Sequence, residues 1–200
     1  MRSLSAAFSY PYTTLTSVTP QAAGPVTLGT PPITYDLPDH CVVKGDMNRR
    51  TGPIGGKSYA IGFEMRLPSN WNGRFLYQAN GGIDGSVVAA YGTDLGGGPK
   101  SNALIRGFAV ISSDAGHKPP APFFGIDPQA RIDYGYNAVA QLTPMAKSRI
   151  KTYYDKKPDK SYLYGCSNGG RHAMVATSRY ADQYDGILLS SLGHPAIRLT

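Results

Sequence analysis

The sequence predicts an α/β fold, a mostly parallel sheet with flanking helices, and three observations carry that prediction. Short apolar runs recur in the 200 residues: "RFLYQA" (74–79), "GFAVISSD" (107–114), "SYLYG" (161–165) and "GILLSSL" (186–192). Such runs, bounded by glycine, are expected of strands covered on both faces. Stretches with helical spacing lie between the later runs, and strands alternating with helices imply parallel pairing. Finally, a glycine-flanked serine stands where one strand turns into a helix.

Taken in order, residues 1–36 are rich in Pro, Thr and Gly and read as an extended lead-in, with the main domain running over 37–200. "YAIGFEMRLP" alternates, with Ile61, Phe63, Met65 and Leu67 on one face and Gly62, Glu64 and Arg66 on the other. That pattern predicts a half-buried strand near a sheet edge. After strand 74–79 come a glycine-rich loop and a helix expected around 100–106. Val139, Leu142, Ala146, Ile150 and Tyr153 predict a longer helical region over 133–155. Pro144 interrupts it, and Thr143-Pro144 reads as a cap and first turn opening a second helix. The strand 161–165, a helix over 168–180 and the strand 186–192 complete the series.

Composition narrows the function. A hydrophobic fraction of 41% with 16% charged residues describes a soluble globular chain, and no run approaches the ~18 apolar residues of a membrane span. The first residues lack the apolar core of a signal peptide. A net charge of +7 raises the question of nucleic acid, yet Lys and Arg are scattered and form no stripe, so a solvated surface explains them and no nucleic-acid partner is expected. Cys41 and Cys166 form no CxxC or zinc pattern, and no metal site is expected in this portion.

The chemistry concentrates at "GCSNG" (165–169), a G-x-S-x-G pentapeptide between a strand and a helix. A serine held on so sharp a turn needs neighbours without side chains, and its hydroxyl then projects where backbone N–H groups can receive an oxyanion. Ser167 is the candidate nucleophile. The second oxyanion donor is expected from the loop after an earlier strand, here "QANGGIDG", in which Gly81 or Gly82 is available and Gly82 is favoured.

A triad cannot be completed from the sequence. His172 sits five residues into the nucleophile helix, poorly placed to reach back to the serine. His194 follows the very next strand, too early for a base. Asp182 and Asp185 read as a helix terminus and a turn. Asp114 and His117 precede the serine and read as a loop-shaping element near the site. Two phosphate-loop lookalikes also fail. "GPIGGKS" places one residue too few between Gly52 and Gly56 and leads into a strand, and in "GGGPKS" Pro99 separates glycine from Lys100.

Several segments together resemble the tannase and feruloyl esterase family of α/β hydrolases, which includes mono(2-hydroxyethyl) terephthalate hydrolases. They are "LPDHCVVKG" (37–45), "RLPSNWNGRFLYQANGGIDGS" (66–86), "FGIDPQARIDYGYN" (124–137), "KSYLYGCSNGGR" (160–171) and "YDGILLSSLGHPA" (184–196). The resemblance implies an α/β-hydrolase fold, Ser167 as acyl-accepting nucleophile, and the N–H groups of Gly82 and Asn168 as oxyanion hole. It implies that Cys166 pairs with a cysteine beside the catalytic histidine, a partner outside this chain. Cys41 also matches a family cysteine, without an evident partner. Family members are far longer and carry a lid, often with calcium, followed by the acid and the base.

The expectation is therefore a serine carboxylic ester hydrolase acting on small aromatic carboxylate esters, present as an N-terminal portion that stops before the lid and the last strands. On that expectation the 200 residues alone are inactive, and strand 186–192 is left as an apolar edge that favours aggregation. Export to the periplasm or medium is implied by the resemblance, although no signal peptide is visible. Two other readings stay open: a non-catalytic aromatic-acid binding protein, and one half of a two-chain esterase.

Overall fold

The computed structural model describes residues 8–28, 32–92 and 101–192. Seven strands form one twisted sheet in the order β1-β4-β5-β7-β6-β8-β9. These are β1 (Thr13–Gln21), β4 (His40–Thr51), β5 (Ser58–Pro68), β6 (Arg74–Ala79), β7 (Ala109–Ser113), β8 (Lys160–Ser167) and β9 (Gly186–Leu192). The first half is antiparallel, β1 to β4 to β5 to β7. The second half, β7, β6, β8 and β9, is parallel. A separate hairpin joins β2 (Gly24–Leu28) to β3 (Ile33–Leu37). The lead-in thus carries three strands, and β1 extends the main sheet.

Three helical elements matter to the site. A short α1 (Pro128–Ile132) runs through a π-helical turn, Asp133–Asn137, into α2 (Ala138–Tyr154), while α3 (Asn168–Arg179) follows β8 directly. Asp127 caps α1 by accepting the Ala130 N–H at 2.7 Å, with Pro128 in the first turn. Arg50 grips the same carboxylate with both terminal nitrogens, at 3.0 and 2.6 Å, and these hydrogen bonds lower the Asp127 pKa below the ordinary carboxylate value.

The core lies between the sheet and the helices. Met65, Phe75, Tyr77, Ile111 and Leu163 from the strands meet Val139, Leu142, Met145, Ala146 and Ile150 of α2 and Ala173 and Ala176 of α3. On the opposite face Leu76, Val110 and Tyr164 are covered by Ala90 and Ala103, and Tyr35 and Leu37 of β3 pack with Tyr91 and Leu104. Trp71 stacks on Tyr154 at 4.2 Å and closes the β5–β6 loop on the end of α2.

Three expectations are corrected. The alternating strand β5 is interior, not near an edge, because β4 and β7 pair along its two sides. Its second face is buried as well, under the loop around residue 90, where Glu64 accepts the Ala90 N–H at 3.1 Å and Arg66 lies over the Tyr91 ring. The helix expected around 100–106 is a set of turns over 103–107 within the described residues. Helix α2 also runs through Pro144 instead of restarting there. Proline removes one N–H bond, but buried side chains on both sides of it hold the helix, and Thr143 donates back to the Val139 carbonyl at 3.0 Å rather than capping. The edge expected at strand 186–192 is present among the described residues, with Leu188 and Leu189 of β9 exposed.

Candidate active site

Strand β8 delivers Ser167 to the carboxyl edge of the parallel half-sheet, and α3 starts at the next residue. Ser167 has φ 57° and ψ −120°, a conformation that side-chain-bearing residues rarely adopt. Its side chain is exposed. The turn closes only because its neighbours are glycines. A Cβ on Gly165 would lie 2.0 Å from the Gly169 carbonyl oxygen, and one on Gly169 would lie 2.4 Å from that of Ala79. The helix N-terminus is therefore pressed against both β8 and β6.

Ala79 pairs with Gly165, so the loop after β6 emerges beside the serine. A Cβ built on Gly81 would stand 3.9 Å from the Ser167 Cβ and 3.6 Å from the Cys166 carbonyl oxygen. Gly82 is next, with φ +65° and open space where its side chain would be. Ser167, the Gly81-Gly82 loop and Asn168 at the start of α3 thus meet at one exposed point.

Behind that point lies a buried polar group that the sequence reading missed. Asn168 Nδ2 donates to Asp84 Oδ2 at 2.6 Å, and Asn168 Oδ1 accepts from Tyr134 Oη at 3.0 Å and Arg171 Nε at 2.7 Å. His172 Nε2 lies 2.8 Å from the same Asp84 oxygen. Burial pushes the His172 pKa down, and its Nδ1 has no partner, so the ring is neutral with Nε2–H donating to Asp84. Arg171 reaches the carbonyls of Gly135 and Tyr134, both at 3.1 Å, on the π-helical turn. A sequence signal existed: Asn168, Arg171 and His172 are at i, i+3 and i+4, hence on one helix face.

The other candidates sort as follows. His172 faces inward to Asp84, away from a role as base for Ser167, and His194 lies outside the described residues. Asp114 accepts the N–H groups of Gly62 and Gly116, each at 2.9 Å, and its carbonyl accepts from Gly85 at 3.1 Å. Burial raises its pKa to about 6. His117 is buried with its ring 3.9 Å from that of Phe124. Both shape the loop beside the site. Among the described residues no hydrogen bond links the Ser167 hydroxyl to a base.

Cys166 and Cys41 are both free thiols; Cys166 is half-buried, while Cys41 is buried, which pushes its pKa up. No group of three His, Cys, Asp or Glu residues able to hold a metal occurs among the described residues. A cleft of about 540 Å³ near Asp46, Arg49, Arg50 and Lys118 does not include Ser167, and its cations are paired with Asp46, Asp127 and Asp114.

Comparison with known proteins places these residues in context. A family profile described as "Tannase and feruloyl esterase" matches residues 41–199. Mono(2-hydroxyethyl) terephthalate hydrolase of Piscinibacter sakaiensis is 44% identical over 167 residues, which is 79% of this chain and 27% of that protein. Feruloyl esterase B of Aspergillus niger is 34% identical over 137 residues, 68% of this chain and 25% of its own length. The crystal structure of feruloyl esterase B from Aspergillus oryzae superposes with a TM-score of 0.76 at 27% identity, covering 92% of this chain and 35% of that one. The chain thus spans about a quarter to a third of the length of these relatives.

Proposed function

The chain belongs to the tannase and feruloyl esterase family, and from that premise we propose that it carries the nucleophile and oxyanion hole of a serine carboxylic ester hydrolase. The observation that supports this best is the strained Ser167 at the start of α3, facing the Gly81-Gly82 loop.

In the proposed reaction Ser167 Oγ attacks the ester carbonyl carbon. The negative charge that builds on the carbonyl oxygen is received by the backbone N–H groups of Gly82 and Asn168, the latter aided by the positive end of α3. The alcohol leaves with a proton, Ser167 keeps the acyl group, and water releases the acid. The serine proton needs an acceptor and the leaving alcohol a donor. The acid and base of the triad are assigned to polypeptide beyond these 200 residues, with Cys166 disulfide-bonded to a cysteine beside that base. Calcium, if bound, belongs to a lid there and takes no part in these steps.

Aromatic carboxylate esters are the proposed substrates, since the relatives are named for feruloyl and terephthalate esters. Export is proposed on the same family grounds; no described helix is long and apolar enough to cross a membrane. The test is hydrolysis of methyl ferulate and mono(2-hydroxyethyl) terephthalate by the full gene product and by its Ser167→Ala variant. Turnover lost by at least a thousandfold in the variant is expected; undiminished turnover refutes the assignment.

A further inference from the structure

We propose that Asp84 is a positioning residue, resting on the reading of Ser167 as nucleophile: it ties the two halves of the oxyanion hole to each other. One half is the loop after β6, carrying Gly81 and Gly82; the other is Asn168 at the start of α3. They are separate segments of chain, joined at their bases by the pairing of Ala79 with Gly165 and by the packing of Gly169 on the Ala79 carbonyl. Beyond those contacts a side-chain link is what ties the loop to the start of α3. Asp84 belongs to the first segment and binds the second. Its Oδ2 accepts from Asn168 Nδ2 at 2.6 Å and from His172 Nε2 at 2.8 Å, so both donors converge on one oxygen with the side chain 2% exposed.

The loop is also anchored from its own side. Asp84 has φ 56° and Gly85 φ 82°, and the Asp84 N–H turns back to the Gly81 carbonyl at 3.4 Å. The Gly85 N–H donates to the Asp114 carbonyl at 3.1 Å, and a Cβ on Gly85 would meet the Pro120 backbone at 2.4 Å. Asp84 therefore cannot drift without carrying Gly81 and Gly82 with it. On the helix side, Asn168 is held by Tyr134 and Arg171 as well, so the Asp84 bond transmits position between two otherwise rigid bodies. A carboxylate whose only task was to satisfy His172 would need no contact with the residue next to the nucleophile.

The geometry matters because oxyanion donors act on developing charge, where a displacement near 1 Å costs about 100-fold in rate. The experiment is steady-state kinetics on the full gene product with Asp84→Ala, Asp84→Asn, Asn168→Ala, the Asp84→Ala/Asn168→Ala pair and Ser167→Ala. Asp84→Ala is expected to lower kcat about 100-fold with KM within about threefold. Asp84→Asn, whose amide oxygen accepts both bonds, recovers at least about tenfold of that loss. Asn168→Ala keeps the backbone N–H and the Asp84–His172 bond, yet by itself loses kcat at unchanged KM. Adding Asp84→Ala to it costs less than about threefold more, since both remove one linkage.

Multiplicative losses in the pair overturn the inference, as does full kcat in Asn168→Ala. Full kcat in a merely less heat-stable Asp84→Ala also overturns it and leaves Asp84 as a structural residue. The failure of the underlying reading looks different: Ser167→Ala would then retain turnover.

Discussion

Replacing Gly169 with alanine tests the close approach of α3 to β6. The added Cβ would lie 2.4 Å from the Ala79 carbonyl oxygen and 3.0 Å from that of Asn80, both backbone atoms that cannot rotate away. Ordinary contact begins near 3.4 Å, so the first turn of α3 must retreat by about 1 Å. Overpacking of this kind costs about 1–3 kcal/mol, and for a chain of this size each kcal/mol lowers Tm by about 2–4 °C. The same 1 Å displaces the Asn168 N–H from the loop after Ala79, which should cost about 100-fold in kcat. The assays are denaturant unfolding of the chain and ester hydrolysis by the full gene product. Gly125→Ala is the control, since a Cβ there meets nothing within 4 Å; it should stay within about 0.5 kcal/mol of the parent. A Gly169→Ala protein with unchanged midpoint and unchanged kcat would refute the packing argument.

Other outcomes follow from the same structure. The 200-residue chain alone is expected to show no Ser167-dependent ester turnover, because among the described residues no base is hydrogen-bonded to the Ser167 hydroxyl; steady hydrolysis abolished by Ser167→Ala would contradict this. Stability should fall on acidification from pH 7.5 to 5.5, read by urea midpoints. His40, His117 and His172 are buried with lowered pKa values, so the unfolded chain takes up protons below about 6.5 that the fold resists, at most about 1.4 kcal/mol each at pH 5.5. Asp114, raised to about 6, works the other way by binding a proton in the folded state, but contributes less than about 1 kcal/mol at that pH. A midpoint that rises at pH 5.5 would contradict the balance. In the reduced native chain iodoacetamide should label half-buried Cys166 well before Cys41, whose thiol is buried and held protonated; equal rates by peptide mapping would count against the described packing.

Those parts of the fold governed by local chemistry were legible in the sequence. Strands 74–79 and 186–192 match β6 and β9 in full; in β6 the continuous apolar run reports burial on both faces, while in β9 the same kind of run marks an edge strand whose Leu188 and Leu189 stay exposed. The tight turn at Ser167 was legible because Gly165 and Gly169 record a backbone contact that no other residue permits. What depended on distant partners was not. In β4 the lysine, aspartate and two arginines hide an alternation whose Cys41, Val43 and Met47 reach the core only once β1 and β5 flank it. The burial of Glu64 and Arg66 depends on a loop some 25 residues away. Nothing local in the sequence marks Asp84, since its partners Asn168 and His172 follow more than 80 positions later.

The central claim is that Ser167 accepts the acyl group, and it can be tested directly. The full gene product would be mixed with a p-nitrophenyl ester of an aromatic acid, quenched in acid within the first turnover, digested and mapped by mass spectrometry. The account predicts one acyl adduct, on the peptide containing Gly165-Cys166-Ser167, and none in Ser167→Ala. An adduct at another residue, or turnover with no covalent adduct at any quench time, would contradict it.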